Sequence, residues 1–430
     1  MVYYCPKNDP GRPGSKEGGP MAKIAIMGLG VVGGGTADLL TENREKIRGA
    51  CGEYLDLKYV LDIREMPESP YRALIVHDID AIANDPEVSI VAETIGGAKH
   101  AYDYTVRLLK AGKSVVTSNK QLVSEHGAEL LALAKENGCR YLFEASTGGG
   151  IPVIGPLSRD LSHNEITEIS GILNGTTNYI LTRMKGGGVG FETALAEAQQ
   201  KGYAERDPSA DVEGADACRK ISILAATAFG KLIPPERIHT EGITAIRQSD
   251  VSAAASVGAS VKLLGRAIKR GGEFFVLVSP FFVPGDSPLA RVDGVYNAIS
   301  VTGNYVGDVT FYGRGAGAKA TASAVVADLI ATVTDKTPVP TWEAAGEDLP
   351  TEFDSFVCPR YLAFSGIERN AVRVVFGDVT FLSGAEGEVA FLTPAGTERE
   401  CADGINRLSA GGGQLLSMIR VYESGERPEA

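Results

Sequence analysis

The sequence predicts an α/β protein with a Rossmann-type doubly wound parallel sheet. A second α+β domain with an open mixed sheet follows, and then a small C-terminal ferredoxin-like domain. Over the first 150 residues, short apolar runs alternate with helical stretches, as a parallel sheet covered on both faces requires. This alternation stops after Gly150, where β-rich stretches dominate. The 430 residues also exceed the ~100–200 of one ordinary domain.

Composition narrows the classes of partner and compartment. Lys and Arg number 42 against 54 Asp and Glu, a net charge of −12, which disfavours nucleic acid or an anionic membrane as a partner. No apolar run reaches the ~20 residues of a membrane-spanning helix. Residues 1–20 lack the apolar core of a signal peptide and are predicted to be a disordered extension. Six widely spaced cysteines indicate reduced thiols in a cytoplasmic protein.

The first elements predict a dinucleotide site. An apolar strand at 23–27 leads into a glycine-rich turn, and a helix is predicted from Thr36 to about Ile47. A GxGxxG pattern between a strand and a helix brings free backbone N–H groups to a pyrophosphate. The predicted cofactor-binding loop consists of Gly28, Leu29, Gly30, Val31, Val32 and Gly33.

The second strand, predicted at 57–61, ends at Asp62 and Arg64. An acid at this position binds the ribose hydroxyls of NAD, whereas a base accepts the extra phosphate of NADP. Because the two residues favour different cofactors, the sequence leaves NAD and NADP both open.

The remaining elements divide the chain. Strands at 89–93, 113–117 and 140–145 and helices at 100–111 and 121–137 complete a nucleotide domain at 21–150, which the helix 318–333 is predicted to rejoin as part of 313–335. Residues 151–312 are predicted to form the catalytic and dimerisation domain. A linker is expected at 336–353. The module at 354–425 is predicted to contain strands at 360–364, 372–375, 388–393 and 418–422 and a helix at 400–410.

The chemistry has few candidates. None of the five histidines belongs to an obvious Ser-His-Asp arrangement, so another residue must move the proton in a hydride transfer. Asp216 and Lys220 are spaced i,i+4 and share a helix face. From the residues alone, this pair is either a solvated surface ion pair or a substrate site with a lysine aimed at a carbonyl.

In six segments the chain resembles the homoserine dehydrogenases. The segments GLGVVGGGT, TSNK, FEASTGGGIP, GILNGTTNYIL, KGYAERDPSADVEGADACRK and GRGAG stand in that family's order and spacing over about residues 21–335. The resemblance implies NAD(P)H-dependent interconversion of L-aspartate 4-semialdehyde and L-homoserine, on the route to threonine, methionine and isoleucine. It also implies a small-molecule substrate and a homodimer or homotetramer.

The resemblance also assigns roles. It implies that Lys220 is the general acid/base and that Lys120 lies near nicotinamide and substrate. Glu205 and Asp216 would bind the substrate with support from Asp211, and the positions that approach the cofactor are Gly202 and Gly317.

Two further features follow from the same resemblance. A monovalent-cation loop would hold structural Na⁺ through the Glu144 side chain and the backbone carbonyls of Thr147, Gly149 and Ile151. Residues 354–425 occupy the place of an amino-acid-binding (ACT) regulatory domain, which implies an amino-acid effector. The usual Asp-x-Pro-Gly turn and long first helix are missing or shortened, so threonine feedback is not expected.

Two alternatives stay open at this stage. A phosphorylating aspartate-semialdehyde dehydrogenase needs an activated cysteine, for which Cys139 and Cys218 are the nearest candidates. A non-catalytic sensor of nucleotide and amino acid would keep the glycine turn but has no need of a catalytic lysine.

Overall fold

The computed structural model describes residues 21–335, 340–347 and 349–423. The predicted extension at 1–20 lies outside these residues, as do 336–339 and 348 of the predicted linker and 424–425 of the last module.

The first part of the chain is a parallel six-stranded sheet flanked by helices, which confirms the predicted Rossmann-type architecture. Its strand order is β3-β2-β1-β4-β5-β6, so the chain reverses direction across the sheet between β1 and β4. Such a switch point opens a crevice at the carboxyl ends of the strands. The elements are β1 (Met21–Met27), α1 (Val31–Glu42), α2 (Arg44–Cys51), β2 (Tyr54–Leu61), β3 (Ile75–Val76), α3 (Asp80–Ala83), β4 (Val88–Glu93), α4 (Lys99–Lys110), β5 (Ser114–Thr117), α5 (Lys120–Glu136) and β6 (Tyr141–Leu142).

The first helix begins earlier than predicted. It starts at Val31 rather than Thr36, with Gly30 as its N-cap, and a second helix begins after Asn43. Glycine lowers local helix propensity, but packing overrides it here, because Gly35 lies against Ala318 and Ala322 of a returning helix. The helix therefore abuts the glycine turn, where its free N–H groups face the crevice.

The central part is built on a mixed sheet. Its two longest strands form an antiparallel hairpin, and β7 lies between β10 and β12. The elements are α6 (Ile154–Ser158), β7 (Ile166–Ile172), α7 (Gly175–Gly187), α8 (Phe191–Gln200), α9 (Ser209–Val212), α10 (Ala215–Phe229), β8 (Lys231–Leu232), β9 (His239–Thr240), α11 (Gln248–Ser256), β10 (Ala259–Arg270), β11 (Glu273–Pro284), β12 (Tyr296–Gly303), β13 (Gly307–Arg314), α12 (Ala318–Thr334) and β14 (Glu343–Ala344).

Helix α12 returns to the nucleotide sheet. Its Val325 and Leu329 are buried in one apolar cluster with Ile24 and Ile26 of β1. The chain thus crosses from the nucleotide sheet to the mixed sheet and returns with α12, and a cavity lies where the two sheets meet.

The C-terminal residues extend the central sheet. Strand β20 pairs in parallel with β11, and the sheet continues in the order β20-β16-β18-β17. The module's elements are β15 (Val357–Cys358), β16 (Arg360–Ser365), α13 (Arg369–Phe376), β17 (Thr380–Leu382), β18 (Glu388–Leu392), β19 (Gly396–Thr397), α14 (Glu398–Ala410) and β20 (Gln414–Val421).

One predicted strand of this module is wrong: residues 372–375 lie within helix α13. Local valine-rich sequence favours a strand, but the burial follows a helical period. Val372 is fully buried, Val375 and Phe376 pack beside it on the same apolar cluster, and Val374 is 70% exposed. Tertiary packing of one helix face therefore outweighs the local preference.

Across the described ranges, no helix is both long and apolar enough to span a membrane. The five described cysteines are free, and four of them are buried.

Candidate active site

A cavity of about 560 Å³ lies between the carboxyl ends of the nucleotide strands and helices α7 and α10. It brings together ten of the predicted site residues, which come from segments far apart in the chain. These are Val32, Lys120, Thr147, Gly149, Gly202, Glu205, Asp211, Asp216, Lys220 and Gly317.

Asp216, in the first turn of α10, is the centre of the charge arrangement. Its Oδ1 lies 2.7 Å from Nζ of Lys120, and its Oδ2 lies 2.7 Å from Nζ of Lys220. Burial alone would raise the pKa of Asp216, but the two ammonium groups outweigh burial and hold that pKa well below its usual range. Asp216 is therefore ionised at neutral pH and links the nucleotide part of the chain to helix α10.

Lys220 is buried, which excludes the surface ion pair that the sequence left open. The side chains of Lys220 and Asp216 are only 11% and 7% exposed. Nζ of Lys220 donates to the carbonyl oxygen of Leu173 and to Asp216, both at 2.7 Å. Within the described part of the chain these are its hydrogen-bond partners, so one of the three N–H donors of the ammonium is free for a ligand.

Asn174 is a site residue that sequence reasoning missed. Its Nδ2 donates to Asp211 at 2.7 Å and to Asp216 at 2.9 Å, so one amide group joins two carboxylates. Its Oδ1 accepts the N–H of Thr177 and caps helix α7. The signal was the segment GILNGTT, where an asparagine stands between a strand and a helix and so lies at the strand's carboxyl end.

Glu205 contributes an unpaired carboxylate to the same cavity. Its side chain is exposed, and among the residues that the structure describes no hydrogen bond or ion pair reaches it; only its backbone carbonyl accepts from Gln199. A solvated carboxylate in the same cavity as two lysines suits a ligand that carries both an ammonium and an oxygen function.

The glycine turn fits a pyrophosphate. Gly28 adopts φ +90°, a conformation that favours glycine. A Cβ on Gly33 would lie 1.9 Å from the Gly28 carbonyl oxygen, so this close approach of helix to strand requires glycine. Nothing lies within 4 Å of a Cβ on Gly30, which leaves the N-terminus of α1 open to a ligand.

Asp62 and Arg64 stand at the end of β2, outside the cavity lining. Asp62 accepts the N–H of Leu29 at 2.8 Å, and Arg64 donates to both of its carboxylate oxygens. This contact with the Arg64 guanidinium holds the pKa of Asp62 well below its usual range. The Arg64 side chain is 56% exposed. The Asp62 carboxylate is therefore bonded to the glycine turn and to Arg64, and the Arg64 side chain is the part of this pair that solvent can reach.

In the predicted cation loop, the Glu144 side chain accepts three backbone hydrogen bonds. Its carboxylate accepts the backbone N–H groups at the start of α6, from Val153, Ile154 and Gly155, at 2.7, 2.9 and 2.7 Å. An anion there caps the helix. The described residues contain no group of three or more His, Cys, Asp and Glu that could hold a metal.

The backbone of that loop still fits a hard cation. Thr147, Gly149 and Ile151 are buried, and no hydrogen bond between described residues ends on their carbonyl oxygens. Buried carbonyl groups are normally paired, and these three would suit a cation held by backbone oxygens.

Comparison with known proteins agrees with this geometry. Residues 28–144 match the family model for the NAD-binding domain of homoserine dehydrogenase, and residues 152–330 match that for homoserine dehydrogenase itself. The homoserine dehydrogenase of Pseudomonas aeruginosa is 43% identical over 319 residues, 74% of either chain. The chain belongs to the homoserine dehydrogenase family.

Solved homoserine dehydrogenases share the fold. One from Thiobacillus denitrificans has a TM-score of 0.85 and 32% identity, over 94% of this chain and 99% of that one. A hyperthermophilic archaeal homoserine dehydrogenase in complex with NADPH has a TM-score of 0.62 and 28% identity, over 73% of this chain and 98% of that one. The chain is accordingly an NAD(P)-dependent oxidoreductase with homoserine dehydrogenase function.

The cysteine-based alternative has no support in this site. Cys139 and Cys218 are buried, neither lines the cavity, and burial raises the pKa of each thiol above its ordinary value. A nucleophilic cysteine needs the opposite shift.

The glycine turn allows a matched pair of variants. We expect Gly33→Ala to weaken dinucleotide binding by more than tenfold, because its methyl group would overlap the Gly28 carbonyl oxygen. Gly34→Ala is the control, since nothing lies within 4 Å of its Cβ, and alanine is the better helix former. Fluorescence titration with NADPH measures both, and equal affinities would contradict this account of the turn.

Proposed function

We propose that the chain reduces L-aspartate 4-semialdehyde to L-homoserine, and catalyses the reverse reaction, with Lys220 as general acid/base. The observation that carries this proposal is the buried Lys220 ammonium, with two N–H groups on protein acceptors and the third directed to no described residue. Lys220 lines the same cavity as Lys120 and Asp216, which surround it with charge of both signs.

When bound, the reduced nicotinamide supplies the hydride. Lys220 gives its free proton to the aldehyde oxygen as that oxygen gains the electron pair of the C=O bond, and in the oxidative direction it takes the proton back. Asp216 accepts a hydrogen bond from Lys220 and keeps Nζ in place. Lys120 adds positive charge beside the developing alkoxide, and Glu205 and Asp211 supply carboxylates for the substrate ammonium.

The deciding experiment is an assay of NADPH and NADH oxidation with L-aspartate 4-semialdehyde. We expect stoichiometric formation of L-homoserine. A folded protein that oxidises neither dinucleotide would contradict the proposal. So would one that, only in the presence of phosphate, oxidises the semialdehyde to an acyl phosphate and reduces NADP⁺ or NAD⁺. The same assay measures cofactor preference. We propose Arg64 as the contact of the NADP 2′-phosphate, since its side chain is 56% exposed and two hydrogen bonds to Asp62 fix the orientation of its guanidinium.

We also propose a structural monovalent cation, Na⁺, held by the backbone carbonyls of Thr147, Gly149 and Ile151 rather than by the Glu144 carboxylate. A cation that binds only the folded state raises its stability. We therefore expect a higher Tm in sodium chloride than in tetramethylammonium chloride at equal ionic strength, measured by calorimetry. Identical Tm values in the two salts would remove this site.

The remaining expectations are part of the same proposal. They are the domain boundaries, a homodimer or homotetramer, the place in threonine, methionine and isoleucine synthesis, and an ACT-like C-terminal module open to an amino-acid effector. The β-α-β-β-α-β order of β16, α13, β17, β18, α14 and β20 supports the ferredoxin-like assignment. The eight-residue α13 agrees with a shortened first helix.

A further inference from the structure

A fully buried carboxyl group stands at the carboxyl end of β4, next to the switch point of the nucleotide sheet. Glu93 is 0% exposed. Its Oε1 accepts the backbone N–H of Ile95 at 2.6 Å, and its Oε2 accepts the hydroxyl of Thr117 at 2.5 Å. No charged side chain of the described residues forms an ion pair with it. Buried carboxyl groups without a cation are uncommon, because desolvation is costly.

The hydrogen bonds of Glu93 belong to a closed ring across two strand ends. Oγ1 of Thr117 accepts the N–H of Asn119 at 2.9 Å, so its own proton is directed to Glu93. Nδ2 of Asn119 returns to the carbonyl oxygens of Ile95 and Gly97, at 3.3 and 2.7 Å. Asn119 is also the N-cap of α5. The ring thus fixes both the loop at 94–97 and the helix start that carries the site residue Lys120.

The loop controlled by Glu93 touches the glycine turn. Oγ1 of Thr94 lies 2.9 and 2.8 Å from the carbonyl oxygens of Met27 and Gly28, and the Thr94 N–H donates to Met27. A Cβ on Gly33 would also lie 2.7 Å from this hydroxyl. A movement of the strand end at Glu93 would therefore displace the Thr94 contacts with the glycine turn, where the dinucleotide is expected to bind.

We propose that Glu93 is a positioning residue for the dinucleotide: its carboxylate holds the 94–97 loop and the start of α5, and protonation of that carboxylate weakens binding. This inference rests on the dinucleotide site in the proposed function and goes beyond it, because Glu93 does not line the cavity.

The protonation falls in the range where enzymes are assayed. Burial raises the pKa of Glu93 to about 7, against the lowering effect of the Thr117 and Ile95 donors. The polar groups that face it are those two and the Tyr141 hydroxyl from β6, which is itself buried without a hydrogen-bond partner among the described residues. Both donors in the ring require an acceptor. Protonation of Glu93 therefore weakens the hydrogen bonds that its carboxylate accepts from Ile95 and Thr117, and the 94–97 loop is held less firmly as the pH falls.

The test is a fluorescence titration with NADH at several pH values on either side of 7. NADH is the probe because it lacks the 2′-phosphate of NADPH, whose own titration would confuse the result. We expect the wild-type Kd to rise as the pH falls below about 7, by at most about tenfold per pH unit for one proton. In Glu93→Gln, binding should be weaker and its Kd should be flat across this range.

Further variants keep the inference testable if Glu93→Gln does not fold. Thr117→Val removes a donor that lowers the pKa of Glu93, so the rise in Kd should begin at a higher pH than in the wild type, whereas Thr117→Ser keeps the hydroxyl and should restore the wild-type curve. Asp250→Asn is the control, because Asp250 is equally buried but bonds to Arg247 and Ser417 beside the C-terminal module. Its pH dependence should match the wild type.

Two results would overturn the inference: a flat wild-type Kd, or a Glu93→Gln curve parallel to the wild type. Failure of the proposed function looks different, since neither NADH nor NADPH would then bind at any pH.

Discussion

Replacing Lys220 with alanine is expected to lower turnover by ~10²–10⁴, the usual loss for a general acid/base, with little change in dinucleotide affinity. The reason is geometric. Lys220 holds its free N–H inside the cavity and makes its other contacts to Leu173 and Asp216, away from the glycine turn. Steady-state assays in both directions measure turnover, and NADPH titration measures affinity.

A matched control separates chemistry from the loss of a buried lysine. Lys113 is also buried and donates to the carbonyl oxygens of Asp85 and Val88, outside the cavity. Lys113→Met should lower the free energy of unfolding but leave turnover per folded molecule unchanged. If Lys220→Ala kept near-normal turnover, the proton would have to come from another group, and Lys120 would be the next candidate.

Asp216→Ala is the second change with a large expected effect. Removing one partner of a buried, hydrogen-bonded charge pair costs about 2–5 kcal/mol, so we expect kcat/KM to fall on the order of 10²–10³-fold. Lys120 and Lys220 would then face each other without the carboxylate between them, and Asn174 would lose one acceptor. Asp216→Asn should also lower kcat/KM, but by a smaller factor, because the amide oxygen still accepts one hydrogen bond.

The control for this variant is Asp207→Asn, an exposed carboxylate that precedes α9 and accepts a local hydrogen bond from the Ser209 N–H. Its kcat/KM should change less than about twofold. Equal losses in Asp207→Asn and Asp216→Ala would mean that the overall negative charge of residues 205–216 matters, not the contact of Asp216 with the two lysines.

The depressed pKa of Asp216 also sets a pH window. A carboxyl group whose folded-state pKa is lowered stabilises the fold above its ordinary pKa of about 4 and loses that contribution only in stronger acid. A loss of binding near pH 7 therefore does not come from Asp216.

Much of the local structure could be predicted from the chain. The glycine turn followed from Gly28, Gly30 and Gly33, because their spacing between an apolar strand and a helix has one common solution. The i,i+4 spacing placed Asp216 and Lys220 on one helix face. Where two local preferences competed, as at residues 372–375, the prediction was wrong, because burial of one helix face outweighed the strand preference of valine.

What the sequence determined by itself is the chemistry available: the parallel sheet, the dinucleotide turn and the acid–lysine pair all depend on neighbours within a few residues. Only the tertiary structure decided how these groups meet. The contact of Lys120 with Asp216, the Asn174 bridge and the helix-capping role of Glu144 join residues from separate elements. Such contacts depend on how two sheets pack together, and this packing has no period or spacing in the sequence from which it could be deduced.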